Sequence, residues 1–558
     1  MSAAIGPEKS SAALSGSPVQ NLEPPREYSL KLRRNSISGV CRVAVLTAVY
    51  FLTYPFMLHH LGTERFGMWA LALVVSQSLG TQDLGISGAL MRFIPEHWNA
   101  GGSLRIRELA STAIFLLAGI GVTLAVGVFL LRDQLVALLK IPAPLQKEMS
   151  WLLVGMAGAF FINLVSSGLT AILIGIHRMD ISNVTYTAAA VVQAVGVFFA
   201  LSRGYGLLGL TANVGIAALL WGTATWIFLR RCIPDFYLSP ALICRADAVS
   251  LLRYGSNIQA AGLGSFLTVP PIKILLSRYV SLASVSSFEL ASGMAMQLRS
   301  GFLMAAMPLI PASAHFDAEK DSASLAKLYS QSVRYTVLAA LPVFSVAAVF
   351  APGFTKFWLH NGAPYVARTL VLLLVGWFFN TLILPAYFML QGRGFARYQV
   401  YVASLQAICS ALAGYFLVRM FGYYGAIAGL VIGLTVAAIY LLWQYPRMNP
   451  GREGRDTFDK SLLIAVVISA ILLFPFFFWP QWRQIHSLVG LALATVAYLI
   501  CYVLLLAVFG CLSTTERQSL RSIWRANIPR ALKRRVIFED PARLERASVP
   551  AVPKWEKK

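Results

Sequence analysis

The sequence predicts an all-α polytopic membrane protein of about fourteen transmembrane helices, built as two parallel six-helix lobes plus two extra helices. Three observations predict it. The 558 residues are 57% hydrophobic and only 13% charged, with a mean hydropathy of +0.66, far outside the range of a soluble globular domain. Apolar runs of about 20 residues, the length that crosses a bilayer, recur along the chain. Short landmarks of the first half also return, in order, in the second.

The runs fall at 36–58, 66–92, 108–131, 150–175, 182–202, 206–229, 251–278, 283–309, 330–352, 366–390, 397–419, 423–444, 461–480 and 487–510. They divide the chain into a disordered cytoplasmic N-terminus (1–35), an N-lobe of spans 1–6 (36–232), a C-lobe of spans 7–12 (248–445), spans 13 and 14 (461–510) and a basic tail (511–558). The first 25 residues, rich in Ser, Ala and Pro, read as disordered. No cleavable signal peptide precedes span 1. In the tail, Leu520, Trp524, Ile528, Leu532 and Val536 recur at helical spacing among arginines and lysines. That pattern predicts an amphipathic helix on the inner leaflet, interrupted by Pro529.

Lys and Arg are retained in cytoplasmic loops, and this orients the chain. With the N-terminus inside, 34 of the 47 cations fall on the cytoplasmic side, 10 outside and 3 within spans. Setting aside the twelve in the tail leaves 22 against 10, so the orientation holds. An even number of spans returns the C-terminus to the cytoplasm. The net charge of +23 is spread over membrane-flanking loops and both termini, where it meets anionic lipid headgroups. No nucleic-acid partner is expected.

The repeat carries the most information. FLTYP at Phe51–Pro55 returns as FLTVP at Phe266–Pro270, an offset of 215. Phe66 and Pro95 of FIPEH have counterparts in Phe288 and in Pro311 of LIPASAHF, at offsets of 222 and 216. LLVG at Leu152–Gly155 matches Leu373–Gly376, offset 221, and the GYG of Gly204–Gly206 matches the GYYG of Gly422–Gly425. Six spans separate equivalent helices, so the two lobes share one topology, and in such transporters the substrate path runs between lobes that rock against each other. Proline in both FLTxP segments marks expected bends in spans 1 and 7, although transmembrane helices tolerate proline generally.

Charges inside a membrane cost about 2.5–3.5 kcal/mol each and normally face a bundle interior or a wet cavity. Arg42, Asp83, Lys273, Glu289 and Arg299 are the candidates. The offsets map Asp83 to between positions 299 and 305, so Asp83 and Arg299 are expected at equivalent depths of a cavity lined by spans 2 and 8, with Gln77, Gln82 and Gln297 nearby. A buried ion pair of structural use is the alternative. Arg42 and Lys273 lie near span ends and could snorkel to the interface; Glu289 is either interfacial or titrates. Arg42 aligns with Asn257, a position polar in both lobes. The expected substrate-binding set is therefore Arg42, Gln82, Asp83, Asn257, Lys273 and Arg299, with Asp83 and Glu289 as ion-coupling acids. Three cations against two acids in a low dielectric favour an anionic substrate.

The loops exclude other chemistry. They are too short for an extramembrane catalytic domain, there is no GxxxxGK[ST] nucleotide loop, and the six cysteines show neither a disulfide framework nor metal-ligand spacing. No enzyme activity, cofactor or metal is expected.

The run from Leu61 to His97 carries a recognisable pattern: Gly62, Phe66, Gly67 and Trp69, then Asp83, Leu84, Gly85 and Ile86, then Arg92. It resembles the second-helix region of polysaccharide flippases of the multidrug/oligosaccharidyl-lipid/polysaccharide superfamily, and two six-helix lobes, ending near position 445, agree with that architecture. The resemblance implies transport of an oligosaccharide on an undecaprenyl pyrophosphate carrier across the bacterial inner membrane, for O-antigen or another surface polysaccharide. It implies cavity arginines facing the pyrophosphate, for which Arg42 and Arg299 are the matches, while span 2 departs from the pattern with Asp83 at depth. It makes a polysaccharide polymerase and glycosyltransferases candidate partners. The alternatives are a multidrug cation antiporter of the same superfamily, which would need an acid where span 1 has Arg42, and a membrane glycosyltransferase or polymerase, which would need a catalytic loop.

Overall fold

The computed structural model describes the backbone of residues 25–80, 83–98, 102–233, 235–359, 365–448, 460–478 and 488–509. Every described segment is helix or short connection, with no strand among the described residues. In lipid this is what the backbone requires, because each N–H and C=O must find its partner within the chain. The N-lobe consists of α1 (Pro25–Gly80), α2 (Ile86–Trp98), α3 (Ser103–Leu138), α4 (Gln146–Gly175), α5 (Met179–Ser202) and α6 (Gly206–Cys232). The C-lobe consists of α7 (Arg245–Phe266), α8 (Pro270–Tyr279), α9 (Leu282–Ala306), α10 (Leu309–Ala318), α11 (Ser322–Leu359), α12 (Val366–Leu382), α13 (Leu384–Gly392) and α14 (Ala396–Met448). Two further helices follow, α15 (Lys460–Phe478) and α16 (Leu488–Val508).

Where they are described, the expected spans lie on helix apart from short breaks, and several are subdivided. Nine helical stretches among the described residues are long and apolar enough to cross a membrane. Two of them join expected neighbours: α1 carries span 1 and the start of span 2 across a kink at Gly62 (φ 74°), and α14 carries spans 11 and 12 across Gly422 (φ 57°). Both hinges sit in the left-handed region that glycine reaches without steric cost.

Two boundaries differ from expectation. Helix α1 begins at Pro25, not at position 36, so 25–35 are helical; Pro25 opens the helix where its missing N–H costs nothing, and no glycine or proline follows until Gly39. The second copy of FLTxP also departs from the first. Helix α1 runs on through Pro55, whereas α7 stops at Phe266 and α8 starts at Pro270, because the Pro270–Pro271 doublet withholds two consecutive donors. Residues 1–24 and the tail from 510, with its expected amphipathic helix, lie outside the described residues.

Duplication is visible in the packing itself. Gly155 of α4 lies where a Cβ would come within 2.6 Å of Thr211 on α6, and Gly376 of α12 where it would come within 3.2 Å of Val431 on α14. The two LLVG motifs thus serve the same close helix crossing in each lobe. Helices α15 and α16 stand outside the repeat and pack on α11, through a hydroxyl chain in which Ser469 bonds both Ser345 (3.3 Å) and Tyr498 (2.9 Å). At the start of α11, Asp321 accepts from Ser324; the Ser324 hydroxyl and then its backbone N–H hold this carboxyl below the usual range.

Candidate functional site at the seam between the lobes

The lobes meet where α1 packs on α9. Near the Gly62 end, Gly67 lies directly on the Leu282 backbone with no room for a Cβ. Beside it, the Ser277 hydroxyl donates to the Leu139 carbonyl at 2.6 Å, and Arg278 donates to the Leu138 carbonyl at 3.4 Å. Further along, the Trp358 indole N–H donates to the Phe51 carbonyl (2.7 Å), the Tyr50 hydroxyl to the Leu290 carbonyl (2.9 Å) and the Thr47 hydroxyl to Gln297 Oε1 (3.2 Å). The seam is therefore closed from Gly67 to Thr47.

The Trp358 bond follows from the sequence of α1. In a regular helix the carbonyl of residue 51 accepts from the N–H of residue 55. Proline at 55 has none, which leaves a carbonyl unpaired in a partly buried interface. Trp358, from the other lobe, supplies the missing donor.

Past Thr47 and Gln297 each lobe contributes one arginine. Arg42 donates to Asn183 Oδ1 at 3.2 Å and lies 4.2 Å from the Tyr186 ring, both on α5 of its own lobe. Arg299 lies 4.9 Å from the ring of Trp377 on α12, again its own lobe. Its Nε is shielded from solvent and has no hydrogen-bond partner among the described residues. Here α2 packs on α3, α4 and α7, and α10 on α11 and α13, so these corresponding half-helices dock into separate lobes, with α7 bridging to the N-lobe. An apolar cavity of about 280 Å³ lies beside the seam, with Phe51, Met294 and Leu298 on one side and Leu491 and Leu499 of α16 on the other.

The remaining charges are committed elsewhere. Lys273 of α8 and Glu289 of α9 form a buried ion pair with Nζ to Oε2 at 2.5 Å, so neither contributes net charge to the seam. Asp83 does not extend span 2 but ends it. Its carboxylate accepts the Gly85 N–H at 2.8 Å in an Asx turn, Leu84 and Gly85 take φ of 52° and 70°, and the Gly85 carbonyl receives the first bond of α2. Gly85 also rests on the backbone of Gly255, in α7.

This corrects the expected equivalence of Asp83 and Arg299. Helix α1 ends at Gly80 and α9 at Ala306, and α2 begins at Ile86 and α10 at Leu309, so the same break recurs in both lobes. The counterpart of Asp83 is the break at Met307–Pro308; Arg299 corresponds to helix before the Asp83 turn. The offsets taken from Phe66 and Pro95, which flank Asp83, are slightly too small to align the two breaks. Gln82 lies outside the described residues, as does the side chain of Asn257, whose backbone is in α7.

Comparison with known proteins agrees with this architecture. The family model described as "Polysaccharide biosynthesis protein" matches residues 34–317, just over half of the chain. The chain belongs to this family. A putative O-antigen transporter of Shigella flexneri is 21% identical over 433 residues, covering 75% of this chain and 99% of the relative. The succinoglycan biosynthesis transport protein ExoT of Rhizobium meliloti is 26% identical over 310 residues, 54% of this chain and 57% of its own. Among solved structures, an inward-facing multidrug resistance MATE family transporter of the MOP superfamily superposes with a TM-score of 0.65 at 18% identity, covering 74% of this chain and 98% of that one. The lipid II flippase MurJ in an inward closed conformation gives 0.62 at 14% identity over 87% and 98%. The family member described here therefore has the MOP transporter fold.

Sequence reasoning missed Tyr50, Trp358 and Trp377. Pro55 was the available signal for Trp358, since a proline inside a helix frees the carbonyl four residues before it; for the other two no signal is legible in the sequence.

Proposed function

We infer that this polysaccharide biosynthesis family member is a flippase that carries a lipid-linked oligosaccharide, on an undecaprenyl pyrophosphate carrier, across the bacterial inner membrane by alternating access of its lobes. The single observation that carries the reading is the form of the seam. It is closed from Gly67 to Thr47, and beyond that each lobe holds one arginine, Arg42 and Arg299. With the Lys273–Glu289 pair self-neutralised, the uncompensated charge along this seam is positive. That suits an anionic pyrophosphate, since guanidinium groups match phosphate oxygens bidentately. The positive-inside orientation puts the Gly62 end outside and the arginines toward the cytoplasm, where the substrate is made. The relatives' names, an O-antigen transporter and a succinoglycan transport protein, support a surface-polysaccharide cargo, and the similarity to MurJ supports flipping over enzymatic turnover.

Arg42 and Arg299 hold the pyrophosphate in this reading, and the hydrocarbon tail remains in lipid. Opening the other way requires the Trp358, Tyr50 and Thr47 bonds to release. A gene deletion tests it: lipid-linked oligosaccharide should accumulate on the cytoplasmic face, and Arg299→Ala should fail to restore export while inserting normally. Unchanged export in the deletion strain, with no second flippase present, would overturn the reading; drug efflux conferred in a sensitised strain would favour an antiporter.

A further inference from the structure

A cavity of about 840 Å³ opens on the C-lobe between α11, α12, α14 and α15, and neither seam arginine lines it. Its walls are apolar, with Leu341 and Phe344 of α11, Leu372 and Phe378 of α12, and Leu473 of α15. The α15 wall is held by the Ser345–Ser469–Tyr498 hydroxyl chain. One end is different. There Arg368, exposed and with no hydrogen bond or ion pair among the described residues, stands with Tyr424 in the lining. Tyr424 in turn contacts Tyr365 at the start of α12, which places this end at the membrane interface.

From Arg368 to Phe378 the cleft follows α12 for roughly 15 Å, at about 1.5 Å of rise for each residue. That is half of an approximately 30 Å hydrocarbon core, one leaflet. Water has few polar partners in such a cleft, and its apolar walls suit hydrocarbon. A hydrocarbon slot one leaflet deep, with a lone cation and a phenol at its interfacial mouth, has the dimensions and charge of a single phospholipid. We propose that this cleft is a binding site for an anionic phospholipid, whose acyl chains lie between α11, α12 and α15 and whose phosphate is held by Arg368. A polyprenyl carrier is much longer than one leaflet and is not the occupant. The orientation read from the loops assigns the site to the outer leaflet.

Native mass spectrometry of the full-length protein in detergent tests this without reference to transport, using phosphatidylglycerol, phosphatidylethanolamine or a polyprenyl phosphate at equal concentration. Phosphatidylglycerol should be retained at least fivefold over phosphatidylethanolamine. Arg368→Glu, and Arg368→Gln as a milder variant, should remove that preference, whereas Ala348→Trp, which fills the cleft, should lose both phospholipids. Unfolding temperatures within a few degrees of the parent identify the variants that report on binding. Equal retention of the two phospholipids by the parent, retention unaffected by both Arg368 variants, or a preference for polyprenyl phosphate would each overturn the proposal.

Discussion

Lys273 and Glu289 show how a pair of charges can be legible in a sequence while their use is not. Both stand inside spans, where a charge points to a cavity; in the structure they face each other across the short connection from α8 to α9 and are almost fully buried. Breaking such a pair strands one charge in a low dielectric, which typically costs about 3–5 kcal/mol, whereas replacing both with apolar groups is often neutral. Glu289→Gln should therefore destabilise the protein by about 3 kcal/mol in chemical unfolding, and the double variant Lys273→Met with Glu289→Leu should recover most of it. Equal losses in the single and double variants would contradict this. Arg299 has a different fate, stacked on Trp377 with an unpartnered Nε. Loss of transport by tenfold or more is expected in Arg299→Ala, and Arg299→Lys should recover only part, because lysine keeps the charge but neither stacks nor presents a fork. Transport assays with expression controls would check both.

Among the helices, the two FLTxP segments are the instructive comparison. Identical letters at four of five positions yield an unbroken α1 and a broken α7/α8, because Pro270 is followed by Pro271 and Pro55 is not. The carbonyl freed by Pro55 then takes its donor from Trp358. In Trp358→Phe that partly buried carbonyl loses its donor, a loss of about 1 kcal/mol or more. In a Pro55→Ala background, where residue 55 can again donate within the helix, the same change should cost clearly less, and a double-mutant cycle on unfolding free energies measures the difference. The turn that separates α1 from α2 reads as a cavity position only when Asp83 is counted as one more residue of a continuous helix. Gly85→Ala should be poorly tolerated, by about 2 kcal/mol or more, since φ is 70° and Gly255 occupies the space a Cβ would need; loss of folded protein in fluorescence-detected chromatography would show it.

For the whole molecule, the proposed alternating access makes the seam bonds a gate at the closed end. Cysteines at Thr47 and Gln297, in a background without native cysteines, should be linked by a short bis-methanethiosulfonate reagent, each thiolate displacing methanesulfinate, and the linked protein should not transport until the disulfides are reduced. Full transport by the linked protein would exclude separation of α1 from α9. By itself the sequence determined the all-helical membrane class and the duplication, because hydropathy and a long internal repeat are properties of the chain read in one dimension. It also marked Arg42 and Arg299, since a charge in lipid stands out wherever it is. What only the tertiary structure decided is the partnership of those charges. Lys273 and Glu289 cancel, Asp83 closes a turn, and Arg42 and Arg299 each fold against their own lobe past the last seam bond. The free energy of a buried charge depends on what lies within a few ångströms of it, and neighbours from helices far apart in the chain are set by packing.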